Sequence, residues 1–125
     1  MRINTVVKAV NDLAVEKGWY ESERRPAEFH MLIVGEVAEA TEEVRNGRPA
    51  IYQVHFEGLN GTIIEPTSEK WDDRKKPEGE AIELGDAVIR IMDYFAHRGW
   101  DLEQVLRMKH SYNTTRPHRH GGKKL

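Results

Sequence analysis

The chain has no cysteine among its 125 residues. This absence excludes a disulfide framework, a thiolate metal site and a cysteine nucleophile, and it is typical of proteins from a reducing compartment. No apolar run approaches the ~18 residues of a membrane span, and the N-terminus has no signal-peptide hydrophobic region. We therefore expect a soluble cytoplasmic protein, in the host cytoplasm if the chain is viral, that makes no contact with a membrane.

The chain also lacks an excess of one charge, because its 19 basic and 21 acidic residues nearly cancel. No global field therefore attracts the protein to nucleic acid or to a membrane surface. With 38% apolar residues, a chain of this length closes one modest core. We expect a single domain over residues 1–125 that needs a partner subunit.

Four segments carry apolar residues at helical spacing. The pattern predicts helices over residues 3–18, 26–46 and 79–98, and Asp101 with Gln104 forms a capping box for a last helix. The third helix has the most buried-looking pattern. The predicted fold class is all-α, with a protomer of four to five helices that is bundle-like and completed by oligomerisation.

A stretch between the second and third helices changes to strand-like spacing. Residues 51–56 and 62–64 flank Asn60-Gly61, which predicts an inserted β-hairpin around residues 50–65 with an Asn-Gly turn. The hairpin and a polar loop together span about residues 48–78. The pattern assigns no chemistry to the hairpin, which is either an oligomer contact or a lid.

Two pairs of acids stand at i, i+3 spacing, Glu36 with Glu39 and Glu83 with Asp86. That spacing puts both carboxylates of a pair on one helix face, but it is common on solvated helices as well. The placement is more specific, because Glu36 and Asp86 interrupt the apolar stripes of their helices. Buried carboxylates need a cation between them, either a metal ion or an arginine, and we favour the metal.

Carboxylate oxygens from two neighbouring helices favour Mg²⁺ or Mn²⁺. Zinc would require His or Cys ligands, and a di-iron bundle would require Glu-x-x-His motifs, which neither pair provides. Because Mg²⁺ is usually held by a few carboxylates together with substrate phosphates, a nucleoside polyphosphate is the natural substrate. Glu39, at the edge of the apolar stripe, is our candidate for a general base.

The C-terminal region, with a basic tail over residues 114–125, supplies positive charge that suits a polyphosphate. The candidate substrate-binding residues there are Lys109, Tyr112, Asn113, Arg116 and Lys123. The alternative is a solvated basic tail that touches nucleic acid, which we do not favour because no groove-binding motif accompanies it.

Further candidates lie outside this region. Trp19, followed by Tyr20 and close to Arg24, is a candidate for stacking on a nucleobase. Arg90 follows Asp86 by one helical turn and is a candidate contact for phosphate or base. Its alternative role is an ion pair with Asp93 or Glu83.

Three ordered motifs resemble the MazG-like all-α nucleoside triphosphate pyrophosphohydrolases. They are LIVGEVAEATEEVR over residues 32–45, KPEGEAIELGDAVIRIMD over residues 76–93, and the ending from Lys109 to Lys123. The resemblance covers the chain from the second helix to the C-terminus apart from the hairpin region. It implies a helical homodimer or homotetramer that converts a nucleoside triphosphate to the monophosphate and pyrophosphate.

The resemblance also implies the metal ligands and the catalytic residues. They are Glu36, Glu39, Glu83 and Asp86. Some branches carry a glutamate doublet where this chain has Gly35-Glu36, so the number of metal ions stays open, and Glu80 is a candidate to compensate. Because some viral relatives act on purine nucleotides, the resemblance favours a purine such as (d)GTP as the substrate. Whether water attacks the α- or the β-phosphorus stays open. The alternative to an enzyme is a non-catalytic module that senses nucleotide or Mg²⁺.

Overall fold

The computed structural model describes residues 2–117. Its elements, in chain order, are α1 (Ile3–Glu16), α2 (Pro26–Arg45), β1 (Gln53–Glu57), β2 (Asn60–Ile64), α3 (Glu80–Arg98) and α4 (Leu102–Thr114). The predicted helical protein with an inserted β-hairpin is therefore confirmed within these residues.

The helix boundaries follow from local sequence signals. Pro26 occupies the first turn of α2, where its missing N–H costs nothing, and Gly47 follows the C-terminal end with a φ of 66°. Asp101 caps α4, because its side chain accepts a hydrogen bond from the Gln104 N–H at 3.0 Å. This is the predicted N-terminal cap.

The chain divides into two compact units, one of residues 23–91 and one of the residues on either side of that range. We call them the central unit and the terminal unit; the division falls inside α3. In the terminal unit, α1 contacts α4. The N–H of Asn4 donates to Glu103 Oε1 at 2.8 Å, and the N–H of Glu103 donates to Asn4 Oδ1 at 3.3 Å. Each helix thus caps a first-turn N–H of the other.

In the central unit, β1 and β2 pair in antiparallel register from Gln53 with Ile64 to Glu57 with Asn60. The turn therefore consists of Gly58 and Leu59, and the predicted Asn60-Gly61 turn is wrong. Gly58 supplies the positive φ, 62°, that a tight hairpin turn requires.

Gly61 has a different role from the predicted one. A Cβ at this position would lie 3.0 Å from side-chain atoms of Val54 and Phe56. The glycine therefore leaves room for two apolar side chains of the opposite strand, which explains why it stands within β2.

A buried amide organises the loop after the hairpin. Gln53 is only 1% exposed, and its Nε2 donates to the carbonyl oxygens of Asp72 at 2.6 Å and Lys75 at 3.2 Å. Its Oε1 accepts from the Asp72 N–H at 3.2 Å and lies 2.9 Å from His55 Nε2. The amide thereby satisfies loop groups that have no partner in a regular element.

Tyr52 connects the start of the hairpin to the helices. Its backbone pairs with that of Glu78, and its hydroxyl donates to the carboxylate of Glu43 on α2, 2.7 Å from Oε2. Burial, together with this hydrogen bond to Glu43, raises the pKa of Tyr52 to about 12. The phenol therefore stays protonated and keeps donating at any physiological pH.

None of the helices within residues 2–117 combines the length and the apolar character that a membrane crossing needs. The core is small, as the composition predicts. Its buried apolar residues are Val7, Phe29, Ala40, Tyr52, Ile64, Ala87, Tyr94 and Leu102. The third helix, predicted to be the most buried, is covered on one face only, since Leu84, Val88 and Ile89 are exposed.

We expect Gly79→Ala to lower the free energy of unfolding by about 2–4 kcal/mol. Gly79 has a φ of 119°, and a Cβ there would collide with the carbonyl group of Ala50. Gly35→Ala is the matched control, because no atom lies within 4 Å of its Cβ position. In the interior of α2 the control substitution should stabilise by about 0.5–1 kcal/mol. Urea unfolding followed by circular dichroism measures both, and equal stability of the two variants would contradict this account.

Candidate metal centre

Three carboxylates of the central unit converge. Each of Glu36, Glu39 and Glu83 offers an oxygen within 4.8 Å of those of the other two. We call these residues the carboxylate triad. Glu36 and Glu83 are each only 9% exposed, whereas Glu39 is exposed, so the triad has one side toward solvent.

The triad forms where α2 and α3 meet. Glu36 and Glu39 share a face of α2 because they are separated by one helical turn, and Glu83 reaches them from the first turn of α3. Glu36 contacts Arg90, and Glu39 hydrogen-bonds with Glu83. The earlier residue of α2, Glu36, thus meets the later residue of α3, Arg90, and Glu39 meets the earlier residue, Glu83. The two helices therefore run antiparallel here, which is the arrangement that the metal hypothesis assumes.

Arg90 forms an ion pair with Glu36. Its Nε donates to Glu36 Oε1 at 2.8 Å, and the side chains are 29% and 11% exposed. Arg90 was predicted to contact phosphate or base, with an ion pair to Asp93 or Glu83 as the alternative. The observed partner, Glu36, is none of these, and it faces Arg90 from α2. The contact with phosphate or base stays a prediction.

The triad carries more negative charge than Arg90 neutralises. Burial, followed by hydrogen bonds to Glu39 and Glu36, raises the pKa of Glu83 from 4.5 to about 7. Without a metal ion, Glu83 is therefore protonated at mildly acidic pH, where a carboxyl with the ordinary pKa is already ionised. A divalent cation would take the place of that proton.

Asp86 lies beside the triad rather than within it. It is half-buried, and desolvation together with the negative charge of Glu36 raises its pKa. The charges of Arg90 and Lys76 act on Asp86 in the opposite direction. Its predicted role as a fourth ligand stays a prediction.

Lys76 is a residue of this region that sequence reasoning missed. It is exposed and lies close enough to Asp86 to affect its ionisation. A basic residue just before a helix whose first turn is acidic is a signal that would have found it. Gly35, next to the triad, is exposed with open space around its Cβ position, so a side chain at this position would meet no steric obstacle.

The structure brings three of the predicted phosphate-binding residues together in the terminal unit. The ring of Tyr112 lies beneath Lys109 Nζ, 5.0 Å from the centroid, and beside the Arg116 guanidinium at 5.8 Å. Asn113 is exposed on the same helix, α4. Lys123 lies outside the described residues. The predicted association of these residues with the carboxylates stays a prediction.

A third buried acid, Asp93, lies outside the carboxylate triad and was not predicted as a site residue. It is 6% exposed and accepts hydrogen bonds from Tyr20 Oη at 2.6 Å and Asn11 Nδ2 at 2.9 Å. Tyr20 also stacks on His97, with ring centroids 4.3 Å apart. Asp86, Arg90 and Asp93 follow one another at intervals of four and three residues, which puts them on one face of α3. This spacing is the sequence signal that points to Asp93.

The N-terminal residues that were predicted to contact a nucleobase differ in their burial and in their contacts. Tyr20 is held by Asp93 and His97, which gives it a structural role in the terminal unit. Trp19 is half-buried in the same unit, and Arg24 is half-buried in the central unit. Their predicted contact with a base stays a prediction.

Comparison with known protein families, with curated proteins and with solved structures finds no match to this chain.

The raised pKa of Glu83 predicts a pH dependence of stability in the absence of divalent ions. A carboxyl whose pKa is higher in the folded than in the unfolded state stabilises the fold fully below pH 4.5, and that stabilisation is lost as the pH rises through about 7. We therefore expect the melting temperature in EDTA to fall from about pH 5 to about pH 8, with on the order of 1–2 kcal/mol of stability lost through this group.

Glu83→Gln, which imitates the protonated acid, should flatten this pH dependence. Glu69→Gln, at an exposed loop position, is the control and should keep it. Thermal unfolding of the three proteins across the pH range is the measurement. A Glu83→Gln protein with the wild-type slope would show that Glu83 is ionised throughout.

Proposed function

We propose that the protein is a divalent-metal-dependent nucleoside triphosphate pyrophosphohydrolase. The observation that carries the proposal is the carboxylate triad, in which two nearly buried acids and one exposed acid converge from two helices. The resemblance of the sequence around these acids to the MazG-like enzymes supports the same reaction. Water cleaves the anhydride between the α- and β-phosphates, giving a nucleoside monophosphate and pyrophosphate.

The residues of the triad fit a hard cation. All three donors are carboxylate oxygens, which Mg²⁺ and Mn²⁺ prefer, and the site opens toward solvent at Glu39. Glu36, Glu39 and Glu83 would hold the ion, with Asp86 as a further ligand. When bound, the ion neutralises phosphate charge and lowers the pKa of water.

The other residues have roles toward the substrate. Glu39 would take a proton from the attacking water, a role that its exposure to solvent supports. Lys109, Tyr112, Asn113, Arg116 and Lys123 are assigned to the polyphosphate, and Trp19 and Arg24 to the nucleoside. Arginine guanidinium groups and lysine ammonium groups stabilise the negative charge that accumulates on the leaving pyrophosphate.

We expect Glu39→Gln to reduce pyrophosphate release at least ~100-fold, because it removes a ligand and a general base. Glu39 is exposed, so the substitution should leave the fold intact. Glu42→Gln, one turn further along the exposed side of α2, is the matched control and should retain wild-type activity. The assay measures pyrophosphate from the eight common ribo- and deoxyribonucleoside triphosphates with Mg²⁺, which also tests the purine preference.

Two results would contradict the proposal. One is a folded Glu39→Gln protein that releases pyrophosphate at the wild-type rate. The other is a wild-type protein that binds nucleotide and Mg²⁺ but converts none of the eight substrates, which identifies a sensing module instead of an enzyme.

We further propose that the chain forms a homodimer or homotetramer through the exposed apolar residues of α2 and α3. Met31 and Val34 on α2 are 61% and 54% exposed, and Leu84 and Val88 on α3 are 42% and 49% exposed. Apolar side chains repeated along two neighbouring helices are typical of an interface between subunits.

Val34→Asp combined with Val88→Asp should reduce the molecular mass in solution to that of the monomer, because a charge at each position opposes burial. Light scattering after size-exclusion chromatography measures the mass. Leu59→Asp, at the fully exposed tip of the hairpin, is the control and should keep the oligomer. If Leu59→Asp alone dissociates the protein, the hairpin is the contact and the helices are not.

A further inference from the structure

The ion pair between Arg90 and Glu36 uses a carboxylate that also belongs to the carboxylate triad. The Nε of Arg90 lies 2.8 Å from Glu36 Oε1, and an oxygen of Glu36 lies within 4.8 Å of oxygens of Glu39 and Glu83. One acid therefore faces both an internal cation and the place where an external cation would bind.

The pair has a clear function in the metal-free protein. Glu36 is 11% exposed in its side chain, and a carboxylate so nearly buried is strongly destabilising without a positive partner. The guanidinium supplies that charge with a charge-assisted hydrogen bond. Arg90 is 29% exposed, so its side chain also has access to solvent.

A divalent cation in the triad changes this balance. It supplies Glu36 with a closer and larger positive charge, and it repels the neighbouring guanidinium. The carboxylate of Glu36, which Arg90 holds by a hydrogen bond in the metal-free protein, would then be a direct ligand of the metal ion. The two cations compete for one acid.

We infer that Arg90 is the resident counter-ion of Glu36 and that a divalent cation entering the triad displaces its guanidinium, which then binds a phosphate oxygen of the substrate. The inference rests on the proposed function, since it takes the triad as the cation site. A planar guanidinium suits both partners, because its fork matches carboxylate and phosphate oxygens alike. Metal binding would thereby create the phosphate contact, so nucleotide binds well only after the metal ion.

The first experiment measures Mn²⁺ binding without nucleotide, by electron paramagnetic resonance of the free ion. We expect Arg90→Gln to bind Mn²⁺ about 5- to 10-fold more tightly than wild type, because the competing cation is gone. Arg45→Gln is the matched control, since Arg45 forms an exposed pair with Glu42 on α2 at 3.7 Å, and it should bind as wild type does. Equal or weaker Mn²⁺ binding by Arg90→Gln would show that Arg90 does not compete with the ion, and this result would overturn the inference.

The second experiment uses the wild-type protein, so that it does not depend on folding of the variant. The Nε–H resonance of Arg90 should be protected from exchange with water in EDTA by its bond to Glu36. It should lose that protection when Mg²⁺ saturates the protein, and regain it when a non-hydrolysable triphosphate analogue is added. A resonance that stays protected at saturating Mg²⁺ contradicts the displacement.

Pyrophosphate release by the wild-type protein separates this inference from the proposed function. Tighter Mn²⁺ binding by Arg90→Gln without any turnover by wild type supports the exchange of cations and overturns the enzyme. Turnover by wild type with unchanged Mn²⁺ binding by Arg90→Gln supports the enzyme and overturns the exchange. A wild-type protein that binds no Mn²⁺ overturns both.

Discussion

The crowding of carboxylates between α2 and α3 is the constraint on which the central unit depends. Glu36 and Glu83 are each only 9% exposed, and their oxygens lie within 4.8 Å of one another and of Glu39. Like charges at this separation repel each other strongly where water is excluded. The pairing of Arg90 with Glu36 reduces this repulsion, and so does the raised pKa of Glu83, about 7, which favours its uncharged form below that pH. Neither compensation adds apolar contact, so the arrangement is less stable than apolar packing between the two helices would be.

The start of the hairpin contacts α2 and the loop that leads to α3. Tyr52 joins the hairpin to Glu43 at the C-terminal part of α2, and its backbone pairs with that of Glu78 immediately before α3. Gln53, on the next position of the chain, holds the loop from Asp72 to Lys75. The inserted segment thus fixes the end of one carboxylate-bearing helix and the approach to the other. A positioning role of this kind explains why the hairpin segment carries the most buried side chain among the described residues.

Sequence reasoning identified the elements and the acids but not their detailed partners. Helix limits depend on signals within a few residues, such as Pro26, Gly47 and Asp101, and these signals are readable without a structure. Glu36 was recognisable because an acid interrupts an apolar stripe, and its burial confirms that interpretation. The burial of Gln53 and the choice of Glu36 by Arg90 depend on residues that are distant in sequence, so local patterns could not predict them. The hairpin turn was misplaced for a related reason, since Gly61 serves packing by Val54 and Phe56 rather than the turn.

The mutual capping of α1 and α4 has a consequence for the order in which the molecule folds. Asn4 and Glu103 are 99 positions apart, so the first turn of α1 obtains its acceptor only after the start of α4 has been synthesised. Residues 23–91 are complete well before that point. The contacts within the central unit can therefore form without α4, whereas the first turn of α1 obtains this acceptor only when α4 is present. Bringing residues so distant in sequence together costs loop-closure entropy, so we expect the terminal unit to form after the central unit.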